Sequence, residues 1–402
     1  MGFAQNVGKG FFPLDEELEL LAGELTPYGH ESLVRLSGWM PFRKAREIFE
    51  DLLGIRVSKI VSQQYTERAG EAYEQLQNEE VEQLEKKMPP SLKGAEKMLI
   101  SADGAMVPLL HGIWAEVRTL VVGEVQPPKE EHGEQVVHTQ KLSYFSRKVN
   151  AETFNRLALV EIHRRGIENA KEVAAVMDGA EWEQGFTEHH CSKATRILDF
   201  PHAAEHISPI GACLHGENTP ETRAWLDDRL HKLKHSGPED LLVEFQELQL
   251  QHPDAQEITS NLAYLEKRKQ QMQYPSFQAQ GWPIGSGMVE SGNKLVVEVR
   301  LKGAGMHWAE QNVNPLLAIR NILCSDRWKE DWPKIELRLR QQNMLKRRKL
   351  HQTHENIARV KNWQPLDLPL LPPIVPKKTK PNPWLNFKFG RALYERKDPP
   401  KL

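Results

Sequence analysis

The sequence predicts an α/β protein with a mixed β-sheet, which contains a helical insertion and follows an all-helical N-terminal region. Two observations lead to this fold class. Residues 97–199 hold several short apolar runs of β type separated by turns and a helical segment, the pattern of a sheet covered by helices. Residues 11–95 and 203–278 instead read as helical and are rich in charged residues.

The N-terminal region, residues 1–95, is predicted to contain a helix-turn-helix pattern. In PFRKAREIFEDLLG, Pro41 begins a helix and Gly54 stands just past its end. Ser58 is then placed to cap the next helix. That helix offers polar side chains for phosphates or base edges, and the candidate DNA-binding residues are Lys59, Gln63, Gln64 and Arg68. Taken alone, the pattern favours plain helix packing, and residues 74–95 are interpreted as a charged helical connector.

Residues 96–202 are predicted to form the first part of the sheet. The β-type runs are KMLISADGAMVPLL, AEVRTLVVGEVQ, KLSYFSRK, EVAAVMDGAEW and ATRILDF. A helix is predicted over residues 150–165, between the third and fourth runs, with Asn150 as its cap. Three strands, a helix and then further strands indicate an α/β sheet.

The remainder of the chain divides into three predicted segments. Residues 203–278 form a helical insertion, residues 279–325 return to the core with a closing helix, and residues 326–402 form a basic, Pro-rich arm. From residue 325 onward there are 19 Lys and Arg against 8 Asp and Glu, a net of +11, whereas the rest carries a net of −13. This asymmetry is expected when one segment meets phosphates, and a solvated tail without a partner explains it equally well.

Composition and cysteine usage exclude several classes of protein. No apolar run is long enough to span a bilayer, and the first residues contain no apolar segment of the signal-peptide type. The three cysteines, Cys191, Cys213 and Cys324, form no CxxC pair, which predicts reduced thiols. These features predict a cytoplasmic protein with no membrane partner.

Three acidic residues stand out by their positions. Asp103 follows the apolar run MLISA, Asp178 follows VAAVM, and Glu290 lies in GSGMVES at the start of a late helix. Carboxylates at the ends of buried strands are held rigidly at a sheet edge, an arrangement that suits hard divalent cations. Two such ions about 4 Å apart activate an attacking oxygen and stabilise the leaving oxygen of a phosphodiester. Taken singly, each acid is explained by a turn or a helix dipole, so the prediction depends on the combination.

Several longer segments carry a resemblance to a known family. They are SADGAMVPL (101–109), WAEVRTLVVGEVQ (114–126), VMDGAEW (176–182), ILDFPHAAEHI (197–207) and WPIGSGMVESGNKLVVEVRLKGAGMHW (282–308), with FFPLDEELEL near the start and KPNPW near the end. The sequence resembles the DDE transposases, in particular the ISKra-type insertion-sequence transposases, which are similar to Mutator-like enzymes. The resemblance implies that the mixed sheet with its helical insertion is ribonuclease H-like.

The resemblance also implies roles for individual residues. The implied catalytic and metal-binding residues, which hold two Mg²⁺ or Mn²⁺ ions, are Asp103, Asp178 and Glu290. Asp199 competes for the second place because it also ends a β-type run, and Asp178 is preferred because Asp-Gly after the fourth strand is the related pattern. Mutator-like enzymes often carry a Cys and a His after that strand. This chain has His202 and His206 there but no Cys, so no metal is assigned to them.

Basic residues after the glutamate are further candidates for DNA contact. Lys294, Arg300 and Lys302 are predicted to grip the phosphate of a cut strand end. An i,i+4 ion pair between Glu290 and Lys294, with surface charge for the others, is an equal alternative. Trp308 is either a stacking residue for a displaced base or a core aromatic, and the core position is the commoner one.

The functional hypothesis is a DNA transposase that acts on the terminal repeats of an insertion sequence as a homo-oligomer associated with the bacterial nucleoid. Water cleaves the element end, and the released 3′-hydroxyl attacks target DNA. Three alternatives stay open at this point. They are a ribonuclease H-like nuclease that cuts without joining, a catalytically silent domesticated DNA-binding protein, and a metal-dependent hydrolase of small substrates. The last of these leaves the helix-turn-helix pattern and the basic tail without a use.

Overall fold

The computed structural model describes residues 25–91, 94–131 and 134–361 of the 402-residue chain. The described residues up to Leu345 form one compact unit and those from Lys346 belong to a second, and the candidate site lies within the first. The motifs FFPLDEELEL and KPNPW, and most of the predicted Pro-rich arm, lie outside the described residues.

The described N-terminal residues form helices α1 (Pro27–Trp39), α2 (Phe42–Leu53) and α3 (Lys59–Lys86). Gly54 follows α2 with φ of +69°, a left-handed conformation that glycine adopts without strain. Ser58 caps α3, since its hydroxyl accepts a hydrogen bond from the Val61 N–H at 3.1 Å. The two predicted helix boundaries around this turn are therefore confirmed.

Helix α3 packs along its length on the rest of the unit, so the prediction of a connector from residue 74 is wrong. The Tyr73 hydroxyl donates to Asp331 Oδ2 at 2.7 Å, and Arg147 donates to the side chain of Gln77. At Gly70 a side chain would lie 2.0 Å from the carbonyl oxygen of Pro315, which shows how closely the two backbones approach. The charged residues after residue 74 had indicated a solvated helix, but they form ion pairs with neighbouring elements.

Seven strands are described: β1 (Lys97–Pro108), β2 (Trp114–Val125), β3 (Lys129–Glu131), β4 (Glu134–Val136), β5 (Thr139–Arg147), β6 (Glu172–Met177) and β7 (Thr195–Leu198). Five of them form one sheet in the order β5-β2-β1-β6-β7, and β3 pairs only with β4. Strand β2 is antiparallel to both β1 and β5, whereas β1, β6 and β7 run parallel. The predicted mixed sheet in an α/β fold is confirmed.

The sheet is covered on both faces because its central strand alternates between two buried clusters. Ile100 and Ala102 of β1 belong to a cluster completed by the helices α4 (Ala151–Arg164) and α5 (Glu181–Cys191). Leu99 and Val107 belong to a second cluster, formed with later helices. Since Asp103 lies at an odd position of the same strand, its side chain is directed toward the second face.

The later helices that cover this second face begin with α6 (Phe200–His215), α7 (Pro220–Ser236), α8 (Glu239–Gln251), α9 (Gln256–Lys267) and α10 (Tyr274–Ala279). They span the segment predicted as a helical insertion, and its helical character agrees with the prediction. Asp199 caps the first of them, because its carboxylate accepts the His202 N–H at 3.3 Å. The insertion therefore begins directly at the end of β7.

The chain then returns to the sheet through α11 (Gly287–Gly292), a π-helical segment (Asn293–Glu298), α12 (Val299–Leu301), α13 (Glu310–Cys324) and α14 (Trp328–Lys361). π-Helical segments within helices are often found at functional sites. Trp328 and Trp332 of α14 stack with 4.9 Å between ring centroids and are buried with the N-terminal helices. The predicted basic arm from residue 326 therefore begins with a helix whose first turns belong to the core.

Candidate metal centre

Two of the predicted acids meet at the edge of the sheet. Strands β1 and β6 are parallel neighbours, and Ile100 of β1 lies opposite Ala175 of β6. Continuing this register by three residues places Asp103 level with Asp178. Their carboxylates, together with that of Glu183, each offer an oxygen within 4.8 Å of the others. The parallel pairing of two strands thus explains why residues far apart in sequence converge.

Asp103 is held in place by two hydrogen bonds. The Gly104 N–H donates to its Oδ1 at 2.6 Å, and Asn293 Nδ2 donates to its Oδ2 at 2.8 Å. Burial raises the pKa of Asp103 above its ordinary value, and the neighbouring Asp178 carboxylate adds to this effect. The carboxylate is therefore oriented by the protein and destabilised in its charged form unless a cation lies beside it.

Asp178 lies in a tight turn directly after β6. The Ala180 N–H donates to its Oδ1 at 2.8 Å. Gly179, the next residue, has φ of +89°, so a residue with a side chain would be strained there. Asp178 and Gly179 therefore form a turn, and this turn holds the Asp178 carboxylate at the sheet edge.

Glu183, in the first turn of α5, is the third converging acid and was not predicted from the sequence. Its side chain is fully buried, and the Gly179 N–H donates to its Oε2 at 3.2 Å. Its Oε1 is buried, and no N–H or hydroxyl donor of the described residues bonds to it. Burial, followed by the adjacent Asp178 carboxylate, raises the pKa of Glu183 to about 10. The local signal for Glu183, a glutamate shortly after the strand-end Asp178, is shared by Glu181 and does not distinguish the two.

These three side chains fit a divalent cation of the hard type. Such cations bind carboxylate oxygens, and the three acids supply oxygens that converge from a strand, a turn and a helix. The Glu183 Oε1 atom, buried without a donor, is an acceptor for which a cation is a suitable partner.

Glu290 is not one of the converging acids. It lies in the first turn of α11 with 67% of its side chain exposed, and its Oε1 is 2.6 Å from Lys294 Nζ. The Lys294 ammonium lowers the pKa of Glu290 below its ordinary value. The helix itself reaches the site, since Asn293, less than one turn further on, bonds to Asp103. The structure thus brings the predicted closing helix to the centre but leaves the Glu290 carboxylate paired at the surface.

The predicted DNA-binding residues of α3 are mostly at the surface. The exposed ones are Lys59, Gln64 and Arg68. Gln63 is half-buried and donates to Glu67 Oε1 at 2.7 Å. Of the two lysines that follow Glu290, Lys294 is exposed and Lys302 is partly exposed. The Lys302 Nζ lies 2.6 Å from Glu298 Oε1. These positions leave the DNA-binding prediction untested.

Arg300 lies in the interior, which does not fit the predicted phosphate contact. Only 1% of its surface is exposed, and its Nε donates to the Ser37 carbonyl oxygen at 3.0 Å. The guanidinium also lies over the rings of Phe42 and Trp308, at 4.7 and 5.2 Å from their centroids. Arg300 therefore connects the closing helix to the N-terminal helices. No local pattern indicates this burial, because Arg300 stands between Lys294 and Lys302, which both lie at the surface.

The remaining candidates take structural positions. Asp199 is not one of the three converging acids, and besides capping α6 it accepts the Ser286 N–H at 2.5 Å. His206 stacks on Tyr264 with 3.5 Å between ring centroids. Trp308 is buried, and its indole N–H donates to the Leu301 carbonyl oxygen at 3.0 Å, so it is a core aromatic and not a stacking residue for a base.

No protein-family model matches this chain, and no curated protein matches it. Among the described helices, none combines the length and the apolar character that a bilayer crossing requires. The geometry of the carboxylates is therefore the observation on which a proposal of function depends.

Proposed function

We propose that this chain is a DDE-type DNA transposase that cleaves and joins DNA with divalent cations held at the sheet edge. The observation that carries the proposal is the convergence of Asp103 and Asp178 at the ends of adjacent parallel strands. Two rigidly held carboxylates at this position suit phosphoryl transfer, which demands mainly positioning and charge neutralisation.

Within the α/β class, the strand order supports the assignment of a ribonuclease H-like fold. The sheet order β5-β2-β1-β6-β7, with β2 antiparallel to both neighbours, follows the plan of three consecutive strands, a helix and two further parallel strands. The insertion of helices between β7 and the closing helix agrees with the resemblance of the sequence to insertion-sequence transposases.

In this proposal Asp103, Asp178 and Glu183 would hold divalent cations at the sheet edge, and Glu290 on the closing helix would join Asp103 and Asp178 when DNA is bound. Two Mg²⁺ or Mn²⁺ ions held in this way would supply charge neutralisation at the phosphate and activation of the attacking oxygen. Asn293 orients Asp103 through its side-chain amide. Glu290 lies three residues before Asn293, so the two side chains share a face of the helix, with Cβ atoms about 5–6 Å apart. When a DNA phosphate takes the Lys294 ammonium, the Glu290 carboxylate is released to turn toward the site.

The reaction consists of two in-line displacements on DNA. In the first, water attacks a phosphodiester at the element end, the P–O bond to the 3′ oxygen breaks, and a 3′-hydroxyl is released. In the second, this hydroxyl attacks a phosphodiester of target DNA, the P–O bond to the 3′ oxygen of the target breaks, and the element end is joined to the target while a target 3′-hydroxyl is released. The exposed polar face of α3, with Lys59, Gln64 and Arg68, supplies contacts to the terminal repeats. Two element ends must be held together, so a homo-oligomer on nucleoid DNA is part of the proposal.

The test uses the full chain and duplex DNA that carries the sequences flanking its coding region. End cleavage and strand transfer are measured with Mg²⁺ for the wild type and for Asp103→Asn, Asp178→Asn and Glu290→Gln. Glu298→Gln is a matched control. Glu298 forms an ion pair with Lys302, four residues later, just as Glu290 forms one with Lys294. All three site variants are expected to lose at least a hundredfold in cleavage rate, by analogy with the removal of one electrostatic contact in other enzymes.

The alternatives are separate outcomes of the same assay. Cleavage without joining identifies a nuclease, and Mg²⁺-independent binding without cleavage identifies a silent DNA-binding protein. Wild-type cleavage by either aspartate variant would show that the proposed centre is wrong. Loss in both aspartate variants but not in Glu290→Gln would confine the error to Glu290.

A further inference from the structure

The helical insertion contacts the backbone of the turn that carries Asp178. The Tyr264 hydroxyl donates to the Asp178 carbonyl oxygen at 2.7 Å. Arg268 donates twice to the Gly179 carbonyl oxygen, from Nε at 3.2 Å and from its terminal nitrogen Nη2. Two successive carbonyl groups of the turn are thus bound by side chains that come from one end of the insertion.

The contact is close enough to restrict movement of the turn backbone. A side chain added at Gly179 would lie 2.6 Å from both Arg268 Nε and the Tyr264 hydroxyl oxygen. The two side chains therefore pack directly on the glycine backbone, with no space for a shift of the turn toward them. A displacement in the opposite direction breaks the hydrogen bonds to the carbonyl groups.

The two side chains are themselves held by their neighbours. The Arg268 guanidinium carbon lies 3.8 Å from the centroid of the Tyr264 ring, and Arg268 is buried with 6% of its surface exposed. The His206 ring also stacks on Tyr264, with an angle of 15° between the ring planes, and its Nδ1 lies 2.8 Å from Asn261 Oδ1. The stacked residues His206 and Tyr264 belong to α6 and α9, and Arg268 directly follows α9. The position of the turn therefore depends on the position of these insertion helices.

We infer that Tyr264 and Arg268 are positioning residues for Asp178, and that the helical insertion thereby sets the cation affinity of the candidate centre. This inference rests on the proposed function, since it takes the centre to bind divalent cations. Neither residue touches the cation or the DNA in this scheme. Each acts by fixing the backbone from which the Asp178 carboxylate projects, and a displacement of about 1 Å in such a group is costly.

The test measures Mn²⁺ binding to the full chain without DNA, by electron paramagnetic resonance of the free ion. Tyr264→Phe removes one hydroxyl and keeps the ring, and it is expected to weaken Mn²⁺ binding by roughly threefold to tenfold, the range expected for a single lost hydrogen bond. Arg268→Lys keeps the charge but loses the paired donors, and it is expected to weaken binding at least as much.

The matched control is Tyr274→Phe. The Tyr274 hydroxyl donates to the Leu198 carbonyl oxygen at 3.0 Å, so this variant also loses a hydrogen bond between the insertion and a strand end, but the acceptor belongs to β7 and not to the turn of Asp178 and Gly179. Its melting temperature in EDTA is expected to fall as much as that of Tyr264→Phe, whereas its Mn²⁺ affinity is expected to equal that of the wild type. A merely structural role would give both variants the same Mn²⁺ affinity.

Three results bear on the inference. Weaker Mn²⁺ binding in Tyr264→Phe but not in Tyr274→Phe supports it. Unchanged affinity in Tyr264→Phe, with binding abolished in Asp103→Asn, overturns the inference and leaves the proposed metal centre intact. Absence of Mn²⁺ binding in the folded wild type overturns both.

Discussion

Replacement of Glu183 by glutamine isolates the effect of one buried carboxyl group on the stability of the metal-free protein. The Glu183 side chain is fully buried, and its pKa is raised from an ordinary 4.5 to about 10. Between these two values the folded protein holds a proton on this group that the unfolded chain has lost. Stability from this group is therefore complete below the unfolded pKa and is lost as the pH rises toward the folded pKa.

The magnitude follows from the proton linkage. One proton bound only by the folded state lowers the free energy of unfolding by up to about 1.4 kcal/mol per pH unit. Between about pH 6 and about pH 8 the metal-free wild type should thus lose on the order of 3 kcal/mol through Glu183. Glu183→Gln cannot ionise and is nearly isosteric, so it should lack this dependence and be the more stable protein at the higher pH.

Urea unfolding in EDTA at several pH values measures this difference. Glu181→Gln is the control, because Glu181 lies in the same helical turn with 75% of its side chain exposed. Addition of Mn²⁺ should reverse the order at high pH, since a cation stabilises the wild type and glutamine offers a weaker ligand. An equal pH dependence in the wild type and in Glu183→Gln would show that Glu183 holds no extra proton in the folded protein.

Three further predictions concern single contacts. Asn293→Ala removes the amide that orients Asp103 and should weaken Mn²⁺ binding several-fold, which titration of the ion measures, and unchanged affinity would contradict that role. Ser58→Ala removes the cap of α3 and should lower the free energy of unfolding by about 1 kcal/mol in urea denaturation. Gly70→Ala places a methyl group 2.0 Å from the Pro315 carbonyl oxygen and should lower the melting temperature sharply, and an unaltered melting curve would contradict the close approach of these two helices.

The positions of Asp103 and Asp178 could be predicted because they depend on local patterns. Each aspartate follows a short apolar run, and parallel strands bring their carboxyl ends to one edge of a sheet. The sequence does not contain the register between the two strands, but the pairing of Ile100 with Ala175 is the one that makes the two acids level.

Glu183 could not be predicted for a physical reason. Glu181 and Glu183 both lie in the first turn of α5, where an acid is favoured by the helix dipole whether or not it has another role. One is 75% exposed and the other is fully buried, and this difference depends on how the helix is rotated against the sheet. Rotation of a helix is set by tertiary packing, which a local pattern does not report.

Arg300 and the C-terminal half of α3 also show that local patterns do not report burial, here for polar residues that are expected at the surface. A charged residue among charged residues indicates a solvated surface, yet Arg300 packs on aromatic rings, and Gln77 accepts a hydrogen bond from the buried Arg147. Buried charged groups of this kind are held by carbonyl and side-chain partners that lie far away in the sequence. Their partners, and therefore their burial, become visible only in the folded chain.

The most direct test of the central claim is the location of Mn²⁺ by anomalous X-ray scattering from crystals of the full chain. We expect a peak within coordination distance of the Asp103 and Asp178 carboxylates, and loss of that peak in Asp103→Asn. Crystals saturated with Mn²⁺ that show no peak between these two carboxylates would rule out a metal centre at this sheet edge.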